Sequence, residues 1–132
     1  MTESSLIGFS RGSATDASFH ATNPATGETS DLSFCKASES EVLKACQLAS
    51  DASLKMAALS GAQKAAFLRD LAERIEGLID QLVVTMTSET GLPEPRVRGE
   101  TGRTAFQLRM FADLVESGHW VDARIDRAQP AR

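Results

Sequence analysis

Cys35 and Cys46 are the only thiols in the 132 residues, and His20 and His119 the only imidazoles. A cysteine does nucleophilic work as a thiolate, which needs a cation or a base beside it. Lys36 follows Cys35 and would favour its thiolate, but no base is set near it by spacing. Cys46 falls on the apolar side of a helical pattern. The spacing of the four residues fits no zinc site, and the two histidines stand at opposite ends of the chain. Both thiols read as structural and reduced. A phosphate cradle is missing as well: there is no Gly-x-Gly-x-x-Gly run, no P-loop, and no strand–helix–strand alternation to host one. By this reading the segment holds no catalytic residue, no cofactor-binding residue and no metal ligand.

The elements that would position any other site divide the chain in two. Residues 1–36 read as short strands and a hairpin. Leu6–Phe9 and Ser18–Ala21 are β-prone runs separated by a loop over Arg11–Asp16. Asn23-Pro24 opens a turn that Gly27 closes, and Leu32–Cys35 returns as the second strand. Such a hairpin leaves an outer edge in need of a partner. Residues 37–118 are helical. Ser38-Glu-Ser-Glu41 and Ser60-Gly-Ala-Gln63 are capping boxes that start two helices. On the first helix Val42, Leu43, Cys46 and Ala49, with Ala45 and Ala52 beside them, form one expected buried face.

The second helix carries a stripe of Phe67, Leu68, Leu71, Ala72, Ile75, Leu78, Ile79, Leu82, Val83 and Met86, which Gly77 is placed to bend or interrupt. Gly91 ends it as a left-handed cap, and Pro93 suits the first turn of the next helix, which stops at Gly118. Residues 119–132 read as a mildly basic linker holding Arg124, Arg127 and Arg132. In it Trp120 is expected to anchor the departing chain and His119 to lie on the surface.

The last helix has two distinct sides. At about 100° per residue, Val97, Thr101, Thr104, Ala105, Leu108, Phe111, Ala112 and Val115 gather on a core face. Gly99, Arg103, Phe106, Gln107 and Met110 fall opposite. Apolar residues on both sides imply a second packing partner that the chain does not supply. From spacing alone, Arg103 pairs with Glu100 or with charges beside Glu116 on a solvated face, and Arg109 reaches Asp113 or the carbonyls beside Ala105.

Composition sets further bounds. Apolar residues make up 42% and aromatics 5%, with no tyrosine, so a core must rest on Leu, Ala, Ile and Val. A net charge of −4 argues against a nucleic-acid surface. No apolar run approaches the length that spans a bilayer, and the amino terminus lacks signal-peptide features. A soluble, cytoplasmic protein is expected.

Three motifs carry a family resemblance: Asn23-Pro-Ala-Thr-Gly-Glu28, Glu89-Thr-Gly-Leu-Pro93 and the run from Gly99-Glu-Thr-Gly-Arg-Thr to Ala112. Together they resemble the amino-terminal segment of the aldehyde dehydrogenase superfamily, within it the α-ketoglutaric semialdehyde (2,5-dioxopentanoate) dehydrogenases. The resemblance runs from about Phe19 to the last residue and covers about the first quarter of such an enzyme. It implies an α+β fragment, short strands followed by three or four helices, taken from a larger α/β fold whose Rossmann sheet is absent here. It implies NAD or NADP as cofactor of the complete enzyme, with a small aldehyde as substrate. The remainder of the chain would be the partner, within a homo-oligomer that binds neither nucleic acid nor membrane.

In that family the last helix borders the tunnel by which the aldehyde reaches the nucleophile. The resemblance therefore places Arg103 as anchor for a distal carboxylate, Gln107 as a supporting donor, and Gly99 as the position that leaves room. Two other readings fit the same residues: a small helical protein–protein interaction module, or a subunit complementing a separately encoded remainder.

Overall fold

The computed structural model describes residues 2–13 and 17–128. Arg132 of the basic tail and part of the Arg11–Asp16 loop lie outside them. Strands β1 (Thr2–Glu3), β2 (Leu6–Ile7), β3 (Ser10–Arg11), β4 (Ser18–Thr22) and β5 (Thr29–Cys35) precede helices α1 (Glu39–Ala58), α2 (Gly61–Gly77), α3 (Ile79–Thr90) and α4 (Glu94–Ser117). A single 3-10 turn, His119–Val121, follows. The chain is a small α+β unit.

The expected hairpin forms as β4 and β5, antiparallel, with Phe19 opposite Phe34. Their rings stack with centroids 5.6 Å apart. The turn closes because the Asn23 carbonyl accepts from Gly27 N–H at 2.8 Å, while the Asn23 side chain accepts from Ala25 N–H at 2.9 Å. The edge left by β5 finds its partner in β1, paired in parallel, with Thr2 and Ser33 hydroxyls 2.7 Å apart. That strand has no sequence signal of its own, since two residues show no periodicity. The Leu6–Phe9 run is shorter than expected as a strand: it turns at Gly8, so that β2 pairs with β3 and Phe9 projects from the bend.

Both capping boxes are present. Ser38 accepts from Glu41 N–H while Glu41 accepts from Ser38 N–H, and Ser60 and Gln63 repeat the exchange. Glu41 does more than cap: its carboxylate also accepts from Ser13 N–H at 2.6 Å, tying the loop after β3 to α1. Gly77 interrupts the second helical stretch, giving α2 and α3 as separate helices. Gly91, at φ 68°, ends α3 in the left-handed conformation that glycine adopts without steric cost.

The core is narrow and built from small residues. The α2–α4 pair buries Ala65 and Ala72 on one side and Val97, Thr101, Ala105 and Ala112 on the other, with Val83 of α3 alongside. Thr101 satisfies its hydroxyl on the Val97 carbonyl at 2.9 Å. The expected core face of α4 is thus correct at its centre, whereas Thr104 and Phe111 at its margin are exposed. Phe67 and Leu78, at the rim of the α2–α3 stripe, are exposed too.

The expectation for α1 is overturned. None of its residues is buried, and Val42, Leu43 and Cys46 face solvent. Periodicity was right about the stripe, but among the described residues little packs on it beyond the β2–β3 turn, where Leu48 approaches Gly8. Trp120, expected to anchor the departing chain, is likewise 63% exposed. The solvent-accessible surface totals 10288 Å². A compact monomer of this mass would show about 6,700 Å², so the excess is comparable to a large protein interface.

Gly61 sets how closely α2 meets α4. A Cβ there would stand 2.3 Å from the Val115 carbonyl oxygen. Gly61→Ala gains at most about 1 kcal/mol of helix propensity, but the backbone clash forces the helices apart. The substitution is expected to lower stability by about 1–3 kcal/mol, read as a lower urea midpoint; an unchanged midpoint would mean that the approach is looser than described.

Candidate functional site

The rotation of α4 about its axis is fixed by its buried small residues and by ion pairs to its neighbours. Arg69 of α2 donates to Asp113 at 2.6 Å and to Glu116 at 2.7 Å. Arg109 of α4 grips both oxygens of Glu76 on α2, at 2.7 and 2.6 Å. The local partner expected for Arg109 is therefore wrong: Asp113 is already held by Arg69, and the fork reaches across to the neighbouring helix. Arg98 bridges Glu94 at 2.7 Å and Asp80 at 2.9 Å, joining α4 to the first turn of α3. These contacts have electrostatic consequences at both ends. Hydrogen bonds from Arg109 hold Glu76 below its ordinary carboxylate range, and those from Arg69 do the same to Glu116.

With its core face locked, α4 turns Gly99, Arg103, Phe106, Gln107 and Met110 outward together. Phe106 is 66% exposed and Met110 45%. The Arg103 side chain is 71% exposed, and its one charged neighbour among the described residues is Glu100, 3.5 Å from Nε. That is an ion-pair contact too long for a good hydrogen bond. The expected Glu100 pairing is present, but Glu100 is held far more closely by Arg96, at 2.7 Å.

Arg103 is thereby set apart. Each of the other five arginines on α2 and α4 has a carboxylate within 2.7 Å. The two Nη atoms of Arg103 have no partner among the described residues. The Gln107 amide, one turn on, has none there either. Beside Gly99, an added Cβ would meet nothing within 4 Å. Three residues that the sequence placed on one stripe thus share one open face, offering a two-pronged cationic donor and a neutral donor with an apolar margin. Arg103, Gln107 and Gly99 line none of the four best-formed cavities among the described residues. Arg96, one turn before Glu100 on the same side, was missed as the residue that occupies Glu100. The i,i+4 spacing was the signal for it.

The remaining chemistry-bearing residues are dispersed. Cys35 is buried in β5 and Cys46 is exposed on α1, with no disulfide between them. His20 bonds the Ser30 carbonyl through Nδ1 at 2.8 Å, and His119 is exposed. No group of three metal-ligating side chains occurs among the described residues. A dinucleotide does not fit what is present: β5 enters α1 through Lys36-Ala37-Ser38 without a glycine-rich turn, and among the described residues the one parallel strand pair is two residues long. No described helix is long and apolar enough to cross a membrane.

Two comparisons with known proteins identify relatives of the chain. The aldehyde dehydrogenase family profile matches residues 11–128. The chain is 41% identical over 133 aligned positions to alpha-ketoglutaric semialdehyde dehydrogenase 2 of Azospirillum brasilense, an alignment covering 100% of this chain and 25% of that protein. It is 44% identical over 99 positions to alpha-ketoglutaric semialdehyde dehydrogenase of Acinetobacter baylyi, covering 75% of this chain and 19% of that protein. The chain spans about a quarter of the length of these relatives, and it belongs to the aldehyde dehydrogenase family.

The depressed carboxylates give the α2–α4 pair a pH dependence. A carboxylate whose folded value lies below its ordinary 4.5 adds stability that is complete above that value and fades as pH falls through the folded one. Unfolding midpoints measured from pH 7 to pH 3 are therefore expected to fall at the acid end. Glu76→Gln combined with Glu116→Gln should flatten that fall; an unaltered slope would place the acid sensitivity elsewhere.

Proposed function

We propose that this segment supplies one wall of the aldehyde-access tunnel in an NAD(P)-dependent dehydrogenase, and that Arg103 anchors the distal carboxylate of its substrate. The substrate is 2-oxoglutarate semialdehyde (2,5-dioxopentanoate) or a similar aldehyde bearing an acid group. The observation that carries this reading is the uncommitted guanidinium: of the six arginines on α2 and α4, Arg103 alone has no carboxylate closer than 3.5 Å. Two parallel N–H bonds to a carboxylate suit that fork. The names of the relatives agree with the substrate class.

In the complete enzyme an aldehyde and water become a carboxylate, with one hydride and two protons released. NAD or NADP, held outside this segment, supplies the hydride acceptor. The part played by these residues is binding. Arg103 fixes the acid end, Gln107 supports it, and Gly99 leaves space one turn earlier. Phe106 and Met110 are covered by the remainder of the dehydrogenase chain, which closes this open face into a tunnel and excludes water from it. Residues 119–132 lead toward the cofactor domain. A cytoplasmic homo-oligomer is the assembly that fits this reading. The alternative, a self-standing helical interaction module, sits poorly with a surface of 10288 Å², about half again that of a compact monomer.

In the full-length dehydrogenase, Arg103→Ala is expected to raise KM for 2,5-dioxopentanoate by about tenfold or more, while changing KM for an uncharged aldehyde much less. Steady-state kinetics on both substrates decides it. Equal effects on the two would remove Arg103 from the carboxylate site.

A further inference from the structure

We infer that Gln107 reads the 2-oxo oxygen of the substrate, so that the Arg103–Gln107 pair recognises a 2-oxo acid end rather than a carboxylate alone. This rests on the role proposed for Arg103 and assigns its neighbour a separate task, that of discriminating between acids of equal length and charge.

The argument begins with the substrate class. In 2,5-dioxopentanoate the oxo group is bonded directly to the carboxylate carbon, so three acceptor oxygens crowd one end and the aldehyde occupies the other. A guanidinium fork satisfies the two carboxylate oxygens with parallel bonds. The third acceptor is uncharged and calls for a neutral donor beside the fork. An amide N–H meets that need, since the –NH2 of glutamine carries two donors.

The placement fits. Gln107 follows Arg103 by one turn on α4, a rise of about 6 Å, which leaves the two Cβ atoms about 5–6 Å apart. Both side chains are exposed on the same stripe, and neither the Nη atoms nor the amide has a partner among the described residues. Two other glutamines are engaged within the fold: Gln47 donates to Asp51 at 2.8 Å, and Gln63 closes the cap of α2. On the side away from Glu100, Phe106 and Met110 form the exposed apolar margin of the stripe. Gly99 adds no bulk next to the fork. A site that donates to an oxo group loses that bond with a substrate lacking it, and the donor is then left unpaired when water is excluded.

The test uses three aldehydes in the full-length dehydrogenase. 2,5-Dioxopentanoate has the acid and the oxo group, 5-oxopentanoate has the acid alone, and pentanal has neither. Gln107→Leu is expected to lower the kcat/KM ratio of the first over the second by about tenfold. Arg103→Ala is expected instead to lower the ratio of 5-oxopentanoate over pentanal. An unchanged dioxo preference in Gln107→Leu overturns the inference, and the Arg103 reading then stands or falls on its own ratio. Gln107→Glu provides a second check, because an anion at this place should disfavour both acids relative to pentanal. Equal effects of that variant on all three aldehydes would mean that position 107 does not face the substrate.

Discussion

Close contact between α2 and α4 is the constraint from which the remaining geometry follows. Alanines on both helices and a glycine at the start of α2 bring the backbones together, and no large side chain wedges them apart. Dispersion and burial along such a seam are modest per residue because the buried side chains are small. Cross-helix ion pairs then select one rotation among those that alanine packing would tolerate. Arg69 and Arg109 each reach a carboxylate on the other helix, so α4 cannot roll without breaking both. Its outward stripe is in this sense a consequence of its inward one.

That division of labour explains which charged residues remain available for binding. An exposed ion pair contributes little to stability, but several of them consume donors that would otherwise face solvent. Arg109, Arg98 and Arg96 are occupied in this way, and Glu100 is drawn toward Arg96. Arg103 is left with a single distant contact. A bare Phe106 next to it has no stabilising role within the described residues and gains one only when another surface covers it. Charge and apolar area on this face thus ask for different things: the first for an anion, the second for protein.

Local signals in the sequence were legible wherever the physics is local. Capping boxes at Ser38 and Ser60, the glycine stops at 91 and 118, and the Asn23–Gly27 turn all depend on groups within a few residues of each other. The helical stripe of α4 was legible for the same reason. What could not be read was the partner. Spacing told that Val42, Leu43 and Cys46 share a side of α1, yet burial requires something to pack against them. Arg109 found Glu76, thirty-three positions earlier, because helix pairing placed them together, whereas spacing along one helix offered only Asp113. The Arg103–Gln107–Gly99 stripe was evident from periodicity; that Arg103 alone escapes a close carboxylate emerged from the ion pairs of all its neighbours.

The bare length of α1 has a further consequence. Its first turn is fastened through Glu41 to Ser13 and Ser38, and near its other end Lys64 donates to the Ala57 carbonyl at 3.2 Å. Between those fastenings the helix spans about 24 Å with almost nothing behind it among the described residues, so its backbone amides rely on their own helical bonds for shelter. The molecule should accordingly show two grades of amide exchange, slow along the α2–α4 seam and fast along α1. The tilt of α1 is then the least determined angle in the fold, set by whatever surface comes to lie against it.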